Sequence, residues 1–157
     1  MKVEYINPFL KATKNVIETM AQTKVKHAKP QLKTDAKTSG EVTGVIGMTC
    51  ATLTGAMVLS FSESCILHIV AAMLMEPIRE RVDADVVDAV GELTNMICGG
   101  AKAELSKLDL KFELATPTMV VGKDVEISMF SKTPTIVIPF TTEHGNFVVE
   151  ANLREKN

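Results

Sequence analysis

The longest regular pattern in the chain lies in residues 83–108, and it restricts the possible folds more than any other stretch. Apolar residues recur there with the period of a helix and form one continuous stripe: Val86, Val90, Leu93, Ile97 and Ala101. The stripe predicts a long helix that packs on a core. Gly91, Gly99 and Gly100 each cost a helix interior about 1 kcal/mol relative to Ala, so close approach of another backbone is one reason to expect them there.

The face opposite the apolar stripe is polar. Asp88, Glu92, Asn95 and Gly99 follow i, i+4, i+7, i+11 spacing and fall within roughly 60° of one another on the helix. We therefore expect this face to meet solvent or a partner. Helix faces in water are commonly acidic and rich in amides, so a face that is merely solvated is the alternative interpretation.

The order of these residues resembles a known signature. D-x-x-x-E-x-x-N, formed by Asp88, Glu92 and Asn95, is followed by a glycine pair at 99–100 and by Pro117, as in the CheC/CheX/FliY family of chemotaxis phosphatases. The overall plan resembles that family over nearly the whole chain, and the short single-copy layout is most like CheX. Pro117 itself is expected to be structural, because a proline holds the residue before it in an extended conformation.

The resemblance implies a phosphatase that acts on the phosphoaspartate of a CheY-like response-regulator receiver domain. The receiver would bring its own Mg²⁺, and the chain would need no metal or cofactor of its own. Asn95 would orient the attacking water and Glu92 would pair with the receiver's active-site lysine, which makes these two the catalytic candidates. Asp88 and Gly99 would belong to the partner-binding face, with support of the helix as the alternative role for Asp88. A binding module that holds a receiver or a flagellar-switch component without catalysis is the second hypothesis.

Composition excludes several other classes. A net charge of −2 provides no basic field for nucleic acid, and six Phe with one Tyr and no Trp provide few stacking platforms. The three cysteines, Cys50, Cys65 and Cys98, form no C-x-x-C pair and suggest reduced thiols in a cytoplasm. The longest apolar run, residues 65–75, is too short for the roughly 20 residues of a membrane span, and the amino terminus lacks the apolar core of a secretory signal.

The first half of the chain predicts two further helices and a hairpin. Asn7 and Pro8 have the pattern of a helix start, and the helical spacing continues to about Gln22. Residues 23–40 are rich in lysine and predict an edge strand with a loop; a basic docking strip is the alternative. Residues 41–50 and 51–61 predict a β-hairpin, which is followed by Ser62 as the cap of a mostly apolar helix over residues 63–75.

The last third of the chain predicts strands at residues 111–121, 125–131, 135–140 and 147–153. Together with three helices, these strands predict a single α+β domain over residues 1–157, with an antiparallel sheet covered by two long helices and a shorter one. The resemblance implies the same two-layer, pseudo-symmetric plan. Members of that family with two sites carry E-x-x-N in both long helices. Here the first long helix has Ala12 three residues before Asn15 and no carboxylate there, so the resemblance implies one site only. Exposed sheet edges, together with the resemblance, predict a homodimer.

Overall fold

The structure is a computed structural model that describes residues 1–127 and 134–156. It contains three helices, α1 (Val3–Met20), α2 (Glu63–Leu74) and α3 (Ala84–Ser106). The described strands are β1 (Lys26–His27), β2 (Gln31–Leu32), β3 (Val42–Thr49), β4 (Leu53–Phe61), β5 (Glu113–Leu114), β6 (Thr118–Val121), β7 (Ile136–Thr142) and β8 (Gly145–Glu155). They form one antiparallel sheet in the order β1-β7-β8-β4-β3-β5, with β2 also on β7 and β6 also on β3. The predicted α+β class is confirmed.

Helix α3 follows the sequence pattern closely. Asp83 is the N-cap, and its side chain accepts a hydrogen bond from the backbone N–H of Val86 at 3.0 Å. Every residue of the predicted apolar stripe has a relative exposure of 0%: Val86, Val90, Leu93, Ile97 and Ala101. These side chains join the large core formed by the helices and one face of the sheet. Burial of a full stripe fixes the rotation of α3 about its own axis.

The predicted start of α1 is wrong. The helix begins at Val3, so Pro8 lies inside it, and the cap residue Lys2 makes no side-chain cap hydrogen bond. Ile6 explains the longer helix because its side chain is buried in the core, which favours helical structure upstream of the proline. Pro8 is the sixth residue of the helix, so it removes one hydrogen bond and its ring crowds the carbonyl of Glu4, a cost that burial of Ile6 and Phe9 offsets. At the other end, the helix stops at Met20 and Gln22 has a left-handed φ of 46°.

The central hairpin and the second helix are confirmed. β3 and β4 pair antiparallel from Val42 opposite Phe61 to Thr49 opposite Thr54. The Ser62 side chain caps α2 by accepting a hydrogen bond from the N–H of Cys65 at 3.3 Å. This helix ends at Leu74, one residue earlier than predicted.

The C-terminal strands differ in part from the prediction. Residues 111–121 form two short strands, β5 and β6, because Pro117 interrupts the segment before β6 begins at Thr118. Of the predicted strand at residues 125–131, the described part makes only an isolated bridge between Glu126 and Lys37, and residues 128–131 lie outside the described ranges. The predicted strands at residues 135–140 and 147–153 are confirmed as β7 and β8, which pair antiparallel as a hairpin with residues 143–144 at its turn.

The lysine-rich segment lies at one edge of the sheet, as the first interpretation expected, since β1 and β2 both pair with β7. It also covers part of the face of the sheet turned away from the helices. Lys33 donates a 2.8 Å hydrogen bond to Glu150 there, and the Glu150 side chain is only 3% exposed. Burial raises the pKa of the Glu150 carboxyl, although the Lys33 ammonium acts in the opposite direction. This buried pair fixes part of the segment to β8.

Helices α1 and α3 lie side by side and run antiparallel. Lys11 pairs with Glu104 at 3.2 Å, and a Cβ added to Gly100 would meet the Cβ of Ala12 at 3.0 Å. The expected close approach at a glycine is therefore found at Gly100. At Gly99, by contrast, an added Cβ would meet no atom within 4 Å.

Candidate active site on helix α3

The structure places the predicted site residues together on one face of α3. Asp88, Glu92 and Asn95 are exposed and Gly99 is half-buried. In residues 1–127 and 134–156, no hydrogen bond or ion pair engages the side chains of Asp88, Glu92 or Asn95. Their polar groups are therefore available to a partner.

The backbone of the Glu92–Asn95 turn is supported on the side of α3 that faces the sheet. Thr94 is fully buried, and its hydroxyl donates to the carbonyl of Val90 at 2.7 Å. The same side chain lies directly on Gly44 of β3, where an added Cβ would collide with the Thr94 hydroxyl. Gly44 thus lets α3 approach the sheet closely beside the two candidate side chains. A rigid support of this kind reduces the ordering needed when a partner binds.

The N-terminal end of α3 is fixed by an arginine. One guanidinium nitrogen of Arg79 lies 2.7 Å from the Asp83 carboxylate and 3.0 Å from that of Asp85, and the other lies 3.0 Å from the Glu76 carboxylate. The N–H of Val86 and, after it, Arg79 hold the pKa of Asp83 below its ordinary value. The three carboxylates in turn raise the pKa of Arg79, so it stays charged. The network fixes the residues before the helix relative to its first turn.

Gly99 leaves empty space on the site face, which is the surface of α3 formed by Asp88, Glu92, Asn95 and Gly99. Gly99 follows Asn95 by about one turn on the same face, and the volume that a side chain would occupy is empty. A partner can therefore approach the helix backbone beside Asn95 more closely than at any residue with a side chain. Gly91, the third glycine, lies on another side of the helix near the sulfur of Met119.

Helix α1 carries a second E-x-x-N sequence, Glu4 to Asn7. It was not predicted because the helix was expected to begin at Asn7, which leaves Glu4 outside it. Glu4 and Asn7 are both exposed in the first turns of α1. They border a surface depression with Lys11, Glu104 and Lys107, near the end of α3 that lies away from Glu92. The positions considered earlier behave differently, since Ala12 is buried against Gly100 and Asn15 is exposed.

The buried cysteines Cys65 and Cys98 are poorly suited to act as nucleophiles. Burial raises the pKa of the Cys65 thiol to about 11 and that of the Cys98 thiol to about 12, which keeps both protonated near neutral pH. His68 stacks on His144 with ring centroids 3.9 Å apart. Among the described residues, no group of three or more His, Cys, Asp or Glu side chains could hold a metal ion. The α3 face can supply two carboxylates, Asp88 and Glu92, and one carboxamide, Asn95, to a reaction centre on another molecule.

Residues 42–141, more than half of the chain, match the model of the family "Chemotaxis phosphatase CheX". The chain belongs to the CheX family of chemotaxis phosphatases. It is 27% identical to the CheY-P phosphatase CheX of Thermotoga maritima over 130 residues, which are 83% of each chain. The structure of a CheC-like superfamily protein from Shewanella sp. PV-4 is similar with a TM-score of 0.90 and 42% identity, over 98% of this chain and 99% of that one.

A more distant CheX shows the fold alone. The CheX of a CheX–CheY–BeF₃–Mg²⁺ complex from Borrelia burgdorferi is 21% identical, with a TM-score of 0.76 over 98% of this chain and 100% of that one. The CheC/CheX-like fold predicted from the sequence is thereby confirmed. No described helix combines the length and the apolar character that a membrane span requires.

Proposed function

We propose that the chain dephosphorylates the phosphoaspartate of a CheY-like receiver domain by presenting the α3 face to the receiver's active site. The observation that supports this most is the presence of Glu92 and Asn95 on the same exposed face of α3, one turn apart. Both are exposed and without partners among the described residues, on a helix that is supported on the side that faces the sheet. The family supplies the class of substrate, and the relative in Thermotoga maritima carries the name CheY-P phosphatase.

Asn95 orients the attacking water in this mechanism. A carboxamide can accept a hydrogen bond from water with its oxygen and donate one with its nitrogen. It does so without adding negative charge next to a phosphoryl group, so it can hold water in line with the phosphorus. The Mg²⁺ belongs to the receiver and neutralises charge that develops on the phosphoryl oxygens. The contribution of this chain is the position of the water.

Glu92 sets the register of docking. Its free carboxylate lies one turn before Asn95 and pairs with the receiver's active-site lysine through a charge-assisted hydrogen bond. Gly99 lets the receiver approach the backbone on the other side of Asn95. Asp88 extends the acidic face by another turn toward the helix start and contributes to partner binding.

We further propose that the protein works in the cytoplasm as a homodimer. The short strands β5 and β6 pair with β3 at one edge of the sheet, and β1 and β2 pair with β7 at the other. Short outer strands leave backbone groups available for pairing across a two-fold axis. Light scattering at micromolar concentration should return twice the mass of the chain, and a monomer mass would contradict the dimer.

The test of the function is phosphate release from a panel of receiver domains of the same organism, each phosphorylated by a small phosphodonor in the presence of Mg²⁺. A phosphatase at a substoichiometric concentration should accelerate phosphate loss from at least one receiver through many turnovers. A binding module would bind the phosphorylated receiver and leave its rate of phosphate loss unchanged or slower. That second result, obtained with the whole panel, would contradict the proposal.

A further inference from the structure

The connection between α2 and α3 exposes a group of large apolar side chains. Within five consecutive positions, Leu74 is 45% exposed, Met75 92% and Ile78 53%. Single exposed apolar residues are common on protein surfaces, but a group in one short segment marks an interaction surface. Methionine is also enriched at binding surfaces because its flexible side chain adapts to a partner.

The backbone of the segment has a defined conformation. Met75 ends α2 with a left-handed φ of 54°, and the N–H of Glu76 donates to the carbonyl of Ala71 at 3.1 Å. Arg79 then joins Glu76 to the start of α3 through its contacts with Asp83 and Asp85. The backbone that carries the apolar group is therefore fixed before any partner binds, which lowers the entropy lost on association.

The segment lies next to the site face. Asp85, which Arg79 contacts, is about 20° from Glu92 around the helix and roughly 10 Å from it along the axis. An interface of ordinary size covers about 800 Å² on each partner, so a round one extends roughly 16 Å from its centre. A receiver centred on Glu92 and Asn95 would cover Asp85 and reach the segment attached to it.

We propose that Leu74, Met75 and Ile78 form a second contact for the receiver domain that docks on Glu92 and Asn95. This inference rests on the proposed function and adds a specificity surface to it. Residues 76–85 carry four carboxylates and two arginines, so the surroundings of the apolar group remain acidic even though Arg79 pairs with three of the carboxylates. The matching receiver surface is an apolar patch flanked by Lys or Arg, within roughly 16 Å of the phosphorylated aspartate.

The test uses Met75→Asp and Ile78→Asp, with Val3→Asp as the matched control. Val3 is 71% exposed and lies at the start of α1, beside the end of α3 that is remote from the segment. KM and kcat are measured for phosphate release from the most active receiver of the panel, and affinity is measured with the same receiver loaded with BeF₃⁻ and Mg²⁺ in place of the phosphoryl group. We expect each segment variant to raise KM and weaken binding at least tenfold with kcat within twofold. Val3→Asp should change none of these more than twofold.

The outcomes separate the two proposals. Unchanged KM and affinity in both segment variants, with an active wild type, would overturn the second contact and leave the phosphatase standing. A wild type that binds BeF₃⁻-loaded receiver through Met75 but releases no phosphate would support the contact and contradict the phosphatase. Absence of binding to any receiver would overturn both. If the segment variants change the molecular mass in light scattering and leave receiver affinity unchanged, the occupant of the segment is a second copy and the proposal is wrong.

Discussion

The two long helices carry the same E-x-x-N sequence in different settings. On α3, Glu92 and Asn95 lie in the middle of a capped helix, above a buried Thr94 that rests on the sheet. On α1, Glu4 and Asn7 lie in the first turns, after a cap residue that makes no side-chain hydrogen bond. Pro8 follows at once and donates no backbone hydrogen bond.

We infer from this difference that a functional E-x-x-N motif requires a supported helix in addition to the Glu and Asn residues. A docking pair must be held close to its productive geometry, and a helix is most mobile at its ends. Position also matters, because the α1 pair borders a cluster of Lys11, Glu104 and Lys107 at the opposite end of the helix pair. Here the pKa of Glu104 is lowered by Lys107 and by Lys11, so the carboxylate is already paired within the chain. Neither Glu4 nor Glu92 has such a partner within residues 1–127 and 134–156, so support and position distinguish the two motifs.

The largest expected effect on stability comes from a carboxylate at residue 12 of α1, the position where a second E-x-x-N motif would need its glutamate. Ala12→Glu puts a charged side chain where only 5% of the residue is exposed and where Gly100 is in contact. It should lower the free energy of unfolding by about 3 kcal/mol, because the carboxylate is both too large and poorly solvated. Chemical denaturation measures this. The exposed neighbour in Lys14→Glu is the control, and equal stability of the two variants would show that α1 can hold a carboxylate at residue 12 after all.

Charge reversal compares the two glutamates directly. Glu92→Lys should place like charges against the receiver lysine and weaken complex formation about tenfold or more, with slower dephosphorylation as a consequence. Glu4→Lys is the control and should leave both unchanged. Titration of a phosphorylated receiver gives the affinities, and circular dichroism checks the fold. A Glu92→Lys variant that binds with unchanged affinity would remove Glu92 from the docking role.

The contact between the helices predicts a smaller effect on stability. Gly99→Ala adds a methyl group in open space and should raise the free energy of unfolding by up to about 1 kcal/mol through helix propensity. Gly100→Ala brings the new methyl within 3.0 Å of Ala12, so crowding opposes the same gain. Gly100→Ala should therefore be less stable than Gly99→Ala by about 1–2 kcal/mol in urea unfolding. The reverse order would mean that α1 and α3 separate easily.

The smallest expected effect is a pH dependence of the stability of the first turn of α3. The pKa of Asp83 is lowered in the folded protein, so its stabilisation of α3 is complete above the ordinary pKa and is lost as pH falls through the folded value. Amide exchange in the first turn of α3, corrected for intrinsic rates, should accelerate in acid. In Asp83→Asn the cap persists without titrating, and that acceleration should disappear. If both proteins respond equally, another group governs the helix start.

The sequence predicted those parts of the fold in which local pattern and burial agree. The periodicity of α3 agrees with a fully buried stripe, and Ser62, which was predicted as a cap from a direct local signal, caps α2. The start of α1 was wrong because Pro8 is a local signal, whereas the burial of Ile6 depends on the core. The division of residues 111–121 into two strands was also missed, although Pro117 gave a local reason for it.

The site shows the same distinction. Spacing alone placed Asp88, Glu92, Asn95 and Gly99 on one face, and the structure confirms that placement. The support beneath it depends on Gly44, which is far from α3 in sequence and had no readable signal. The Arg79 network could have been suspected from the charges around the helix start, but its three simultaneous contacts depend on the path of the chain.

The central claim is that Asn95 positions water and contributes little to binding, and one substitution tests it. Asn95→Ala removes an exposed amide, so stability should change by no more than about 0.5 kcal/mol. With an active receiver, its turnover should fall by about two orders of magnitude or more while affinity stays within about threefold, as loss of a transition-state interaction requires. Asn95→Asp should be inactive too, and Asn7→Ala on α1 should match the wild type. Turnover of Asn95→Ala close to that of the wild type would contradict the account, since another group would then orient the water.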